Sequence, residues 1–165
     1  MPKQVMDRSA SDNEYLHRDF HGALSSALIY LEERFGPDAV RDYLARFARR
    51  FYAPLRHELQ QRGLPAMAEH LRRVYEREGA EISIDLSNDE MIVRIEACPA
   101  VTHMRQHEYE VSPLWYETVR TVHQAVCEGS PFTFELVNYD LETGASTGRF
   151  SHHRSASGEE EEELR

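Results

Sequence analysis

Residues 81–101 read EISIDLSNDEMIVRIEACPAV, and this stretch decides the fold class. Ile82, Ile84 and Leu86 recur at every second position, and so do Met91, Val93 and Ile95. That period places each set on one face of a strand. The intervening SNDE, residues 87–90, is turn-forming, so the pattern predicts a β-hairpin. Its loop is not the tightest type, which leaves the register open. Cys98-Pro99 closes the second strand, because proline suits the first position of a helix.

Upstream the period is helical. The run EYLHRDFHGALSSALIYLEERF, residues 14–35, carries Leu16, Phe20, Ala23, Ala27 and Leu31 in one row. Leu24, Leu28 and Phe35 form a neighbouring row, and together these give a broad apolar face. Ser11 or Asp12 can cap this helix, and Gly36-Pro37 stops it. Pro37 opens a second helix whose stripe is Val40, Tyr43, Leu44, Phe47 and Phe51. Pro54 must kink or restart it, since proline lacks an N–H and crowds the preceding turn. A third helix runs from Pro65 to Gly79 with Met67, Leu71, Val74 and Tyr75 inward.

Downstream, residues 99–107 read as a short helix. Ser112-Pro113 reads as the cap and first turn of a longer one through Cys127, with Leu114, Trp115, Val119, Val122 and Val126 on its apolar face. FTFELVNY, residues 132–139, is a third strand and residues 145–150 a fourth. The expected fold is α+β: N-terminal helices packed with a β-β-α-β-β antiparallel sheet. Residues 1–11 are expected to be a flexible N-terminus, 12–151 a single domain, and 152–165 a disordered acidic tail.

The chain has 165 residues, which suits one domain. Its net charge is −10, and residues 155–165 alone carry five Glu against one Arg. An acidic body argues against nucleic acid as a partner. No stretch is long and apolar enough to span a membrane, and no secretory signal pattern opens the chain. With two cysteines there is no disulfide scaffold, so a cytoplasmic protein with free thiols is expected. A small-molecule substrate or ligand is the expected partner, and a homodimer is compatible with this reading.

Cys98 leads the chemical candidates. At a strand-to-helix junction a thiol can meet free backbone N–H groups, and the helix end favours thiolate. A carbonyl or amidine carbon bound there is open to attack. The competing readings are a buried structural cysteine and a metal or haem ligand. His17 and His21 lie one turn apart and prolong the apolar row of Leu24 and Leu28. One of them can serve a thiol as base. His103 and His107, and His123 and Cys127, repeat the spacing. His17, His21, His123 and Cys127 have the ligand types for zinc or iron, should their helices meet. Otherwise no cofactor is expected. Trp115, Tyr116, Tyr109 and Tyr52 can wall a pocket, and Arg18 or Arg120 can hold a carboxylate. No phosphate loop, serine elbow or kinase motif occurs.

YLHRDFHGAL (15–24), FARRFYAPL (47–55), IEACPAV (95–101) and SPLWYETVRTVHQAVCEG (112–129) together resemble the L-2-amino-thiazoline-4-carboxylic acid hydrolase-like family. The resemblance covers roughly residues 12–150. It implies a hydrolase of the class acting on C–N bonds of a small cyclic amidine. Water would open L-2-amino-Δ2-thiazoline-4-carboxylate to N-carbamoyl-L-cysteine. The matching positions are His17, His21, Cys98, His123 and Cys127. On this reading Cys98 attacks the amidine carbon, His21 or His17 manages protons, and Arg18 or Arg120 receives the carboxylate. Trp115 and Tyr116 flank the substrate. In outline the chain is also similar to 4-vinyl reductase-type ligand-binding domains, which implies a non-catalytic sensor for a small molecule, metal or tetrapyrrole.

Overall fold

The computed structural model describes residues 19–153. The expectations for the N-terminus, the helix cap, Leu16, His17, Arg18 and the acidic segment after 153 lie outside the described residues. The hairpin forms as its alternation requires. Strand β1 (Ile82–Leu86) pairs antiparallel with β2 (Glu90–Ile95), with Ile84 opposite Val93 and Leu86 opposite Met91. Met91, Val93 and Ile95 are buried on the inner face. The Ser87 hydroxyl closes the turn by accepting from the Glu90 N–H at 3.0 Å.

Strand β3 (Phe132–Tyr139) and β4 (Ser146–His152) form a second hairpin, and β4 inserts beside β2. The sheet is four-stranded and antiparallel, in the order β1-β2-β4-β3. The outer face is polar: Arg94 pairs with Asp85, and Arg149 with Glu135. One wet face and one dry face is the usual state of an antiparallel sheet. Gly148 lies under the Phe134 ring, where a Cβ would meet Cζ at 2.8 Å. This lets the aromatic ring cross the strand pair.

Among the described residues the helices are α1 (Asp19–Phe35), α2 (Pro37–Phe51), α3 (Ala53–Arg62), α4 (Leu64–Glu78), α5 (Pro99–Gln106) and α6 (Glu117–Cys127), and α4 and α6 pack directly on the sheet. Pro54 restarts the chain as α3, as its missing N–H demands. Gly79 ends α4 in the left-handed conformation. None of these helices is long and apolar enough to cross a membrane.

The structure corrects four expectations. Both helices expected after the hairpin form, so the order is β-β-α-α-β-β and not the simpler β-β-α-β-β. The longer helix begins at Glu117 instead of Ser112. Ser112 is tied down: its N–H donates to Ser25 Oγ at 2.8 Å, and its own hydroxyl accepts from the Leu114 N–H at 3.1 Å. Residues 113–116 therefore run as turns before regular α6 begins. His152 belongs to β4, opposite Phe132, and not to a tail. Finally, Phe20, Phe35 and Phe51 are exposed, each by at least 60%, instead of facing the core.

The core has two clusters. Leu59, Met67 and Leu71 meet the sheet through Met91, Phe134 and Phe150. Leu28, Val40 and Leu44 pack with Val101, Met104 and Trp115. Helix α6 serves both, with Val126 in the first and Val122 in the second.

Glu117 locks α6 to α2. It is fully buried and accepts from Arg41 Nε at 2.8 Å, Arg120 Nε at 3.0 Å and Thr121 Oγ1 at 2.7 Å. Burial alone pushes this carboxyl up, but the bonds from Arg120, Thr121 and Arg41 outweigh it and hold the group below the usual carboxylate range. Removing one partner of a buried ion network costs roughly 3–5 kcal/mol. Because Arg41 and Arg120 keep contact with water, Glu117→Ala is expected to cost about 3 kcal/mol in urea denaturation. The depressed carboxyl stabilises the fold above the ordinary glutamate range and stops doing so as pH falls through its own lower value. Glu117→Gln should therefore flatten the acid limb of the stability profile, and an unchanged limb would remove the carboxylate from this role.

Candidate active site

A cavity of about 350 Å³ opens between the two core clusters. Leu44, Leu55, Leu71, Val119, Val122 and Val126 form its apolar wall. Into this wall are set Cys98, His21, Trp115, His70, His123 and the tyrosines Tyr52 and Tyr75. The exposed Phe20, Phe47 and Phe51 also line it, at its outer rim. They sit where their helix periods place them, but the inward face of α1 and α2 is the wall of a cavity there.

Cys98 occupies the N-cap of α5 in extended conformation. Its N–H donates to Thr143 O at 2.9 Å, and its carbonyl accepts from the Thr102 N–H at 2.9 Å. The turn between β3 and β4 thus holds the residue before the helix begins. Burial pushes the thiol up, and the N–H groups of Val101 and Ala100 and the indole N–H of Trp115 pull the other way without overcoming it. Glu78 adds to the upward shift. The sequence expectation of a favoured thiolate is corrected here: desolvation outweighs the helix end, and the resting group is S–H. The three donors remain poised for a negative sulfur.

His21 stands on the first described turns of α1, with Nε2 3.8 Å from Glu78 Oε1. The Glu78 side chain is 9% exposed. Trp115 meets the His21 ring edge-on, with centroids 6.4 Å apart. Trp115 therefore touches both candidates: its N–H acts on the sulfur and its ring packs against the imidazole. His123 donates from Nδ1 to Val119 O at 2.8 Å and lies against Phe134 and Phe150. Burial lowers it to about 4, so it stays neutral. Burial also lowers His70, whose ring meets Tyr52 edge-on.

Of the residues singled out in the sequence, the fold gathers Cys98, His21, Trp115, His123 and Tyr52 at one cavity. It places Tyr116 and Arg120 elsewhere. Arg120 is committed to Glu117 and its guanidinium lies 5.0 Å from the Tyr116 ring centroid, while Tyr116 packs on Tyr139. Cys127 is buried in the sheet-side core and does not line the cavity. His103 on α5 and His107 at its C-cap hold their rings tilted, with centroids 4.1 Å apart. His17 and Arg18 lie outside the described residues. Among the described residues no group of three or more His, Cys, Asp or Glu is disposed to hold a metal ion, so His21, His123 and Cys127 do not form one.

Glu78 and His70 were missed in the sequence. Both prolong the inward row of α4, where His70 adjoins Leu71 and Glu78 follows Val74 and Tyr75. A polar residue continuing an apolar row was the available signal. The chain matches no protein-family model, and no curated protein matches it.

Proposed function

We propose that this chain is a thiol-dependent hydrolase that opens a small cyclic amidine of the L-2-amino-thiazoline-4-carboxylate type. Cys98 is the nucleophile, His21 the proton carrier, and Glu78 the positioning residue for His21. One observation carries the reading: Cys98 and His21 line the same cavity, both against Trp115, with Glu78 behind the imidazole. Nucleophile, base and orienting carboxylate are the parts that acyl- and amidine-transfer chemistry needs. The cavity lies at the low end of the roughly 300–1,000 Å³ range of ligand sites, which suits a small ring.

The chemistry runs from a protonated thiol. Sγ bonds to the amidine carbon as its proton passes through His21 to the ring nitrogen. The ring C–S bond then breaks as the exocyclic amino group forms a C=N bond, and the proton it gives up goes to the departing ring sulfur. This leaves the substrate joined to Cys98 through a C–S bond. Water adds to the same carbon, Cys98 departs as a thiol, and the carbon becomes a carbonyl. The N–H groups of Ala100 and Val101 face the sulfur, so they stabilise the partial negative charge it carries before its proton arrives. Arg120 is occupied by Glu117, so Arg18 is the arginine retained for the substrate carboxylate.

Turnover of L-2-amino-Δ2-thiazoline-4-carboxylate by the wild type, His21→Gln and Glu78→Gln tests the reading. His21→Gln is expected to lower kcat by about 10²–10⁴-fold with little change in KM. Glu78→Gln should lower kcat by about 10-fold with KM kept, as expected of a residue that orients His21 at 3.8 Å and does not line the cavity. A wild type without turnover, or a His21→Gln variant as fast as it, would sink the proposal. The neutral, mainly apolar wall favours a second reading, a non-catalytic small-molecule-binding module. Saturable binding without turnover is its signature.

A further inference from the structure

Two imidazoles in the cavity take no part in the chemistry at Cys98. His123 projects from α6 and His70 from α4. Each lines the cavity, and a charge on His70 disfavours one on His123, so they face common space. The Nδ1–H bond to Val119 O fixes the His123 tautomer and leaves Nε2 as a hydrogen-bond acceptor. Phe134 and Phe150, with centroids 4.9 and 5.5 Å from its own, hold the ring in place. Nε2 has no hydrogen-bond partner among the described residues, and His70 has none at either nitrogen. Both histidines are partly buried and open onto the cavity, so a ligand that displaces water there must supply the donor that Nε2 accepts.

We propose that His123 and His70 form a hydrogen-bonding subsite in the cavity wall that accepts an N–H donor of an uncharged heterocyclic ligand. His123 Nε2 takes the N–H, and His70 supplies a second hydrogen bond from the facing helix. The substrate feature selected is an exocyclic amino group on a small, uncharged ring. The ring body lies against Leu55, Leu71 and Val126. A ligand with a methyl group in place of the amino group fills the same space and leaves Nε2 unpaired. No carboxylate lines the cavity among the described residues, so a basic ring such as an amidine binds here in its uncharged form. The inference rests on the cavity being the substrate site of the proposed hydrolase, but not on Cys98 doing chemistry.

The probes are 2-aminothiazole and 2-methylthiazole, which share a shape and differ in the N–H donor. Their binding to the full chain is measured by titration calorimetry at about pH 7.5, where both imidazoles are neutral. The wild type is expected to prefer 2-aminothiazole by about 10-fold or more. His123→Phe should bring the ratio to about 1 while changing 2-methylthiazole affinity by less than about twofold, and His70→Leu should lower the ratio by about threefold. A wild-type 15N spectrum supplies a readout that needs no variant to fold: the His123 Nε2 resonance should shift with 2-aminothiazole and not with 2-methylthiazole. No preference in the wild type, a preference kept in His123→Phe, an unmoved Nε2 resonance, or no binding of either probe would each overturn the subsite. Discrimination between the probes without thiazoline turnover would sink the hydrolase alone. Turnover without discrimination would sink the subsite alone.

Discussion

Cys98→Ser is expected to lower kcat for thiazoline ring opening by at least about 10³-fold while leaving substrate affinity nearly unchanged. Oxygen would occupy the place of sulfur beside the Val101 and Ala100 N–H groups, so the fold and cavity shape persist. The alcohol is far less acidic and a poorer leaving group, and both steps of the covalent route need the sulfur. The pH dependence has a definite sign. Burial raises the thiol above the ordinary cysteine value, so the thiolate fraction at neutral pH is small. Alkylation of the native protein by iodoacetamide should accelerate up to a midpoint above the ordinary value of about 8.5. Cys127 is pushed up to about 12 by burial and should stay unlabelled, so one thiol dominates the signal. A Cys98→Ser enzyme within tenfold of wild type, or a labelling midpoint below the ordinary value, would contradict the assignment.

Gly144→Ala is expected to destabilise the protein by about 3 kcal/mol and to damage the site with it. Gly144 has φ +68°, a conformation that L side chains adopt with strain. A methyl group there would overlap the Cys98 Cβ and approach Val101 Cγ2 to 2.9 Å. Both neighbours lie at the start of α5, where backbone cannot yield cheaply. The turn is rigid on its own account: Asp140 Oδ1 accepts from the Thr143 N–H at 2.7 Å and the Glu142 N–H at 3.0 Å, and the Gly144 N–H donates to Asp140 O at 2.8 Å. The strain must then pass to Cys98, whose N–H is bonded to Thr143 O. Urea denaturation measures the stability loss, and Cys98 alkylation measures the displacement of the thiol. A variant that keeps wild-type stability and labelling rate would show that the β3–β4 turn does not buttress Cys98.

That turn illustrates what a linear pattern conceals. Residues 140–144 were legible as a turn from their composition, but their contact with Cys98 joins positions more than forty residues apart. The same holds for the sheet. Each strand was readable from its period, whereas the pairing of Glu90 with Ser151 and of Ile95 with Ser146 was not. Arg120 shows a local failure. It was a candidate carboxylate ligand by residue type, but Glu117 lies three residues before it on the same helical face and holds it.

His21 and Cys98 were legible as candidates because a histidine prolonged an apolar helical row and a cysteine stood before a helix-starting proline. Their acidity was not. The local helix end argues for thiolate, and the opposing desolvation comes from the burial of Cys98 by segments distant in the sequence.

The sequence by itself determined the elements: the hairpin of 81–95, the proline-started helices, the helical row that marked His21 and the Cys-Pro junction that marked Cys98. Those features depend on spacings of two to four residues and on the backbone chemistry of proline and glycine. The tertiary structure alone decided the strand order, the cavity between the two clusters, the partnership of His21 with Glu78, and the protonated state of Cys98. The physical reason is that solvation and proximity are properties of all the groups around a site. Here those groups come from all six helices, α1 to α6, together.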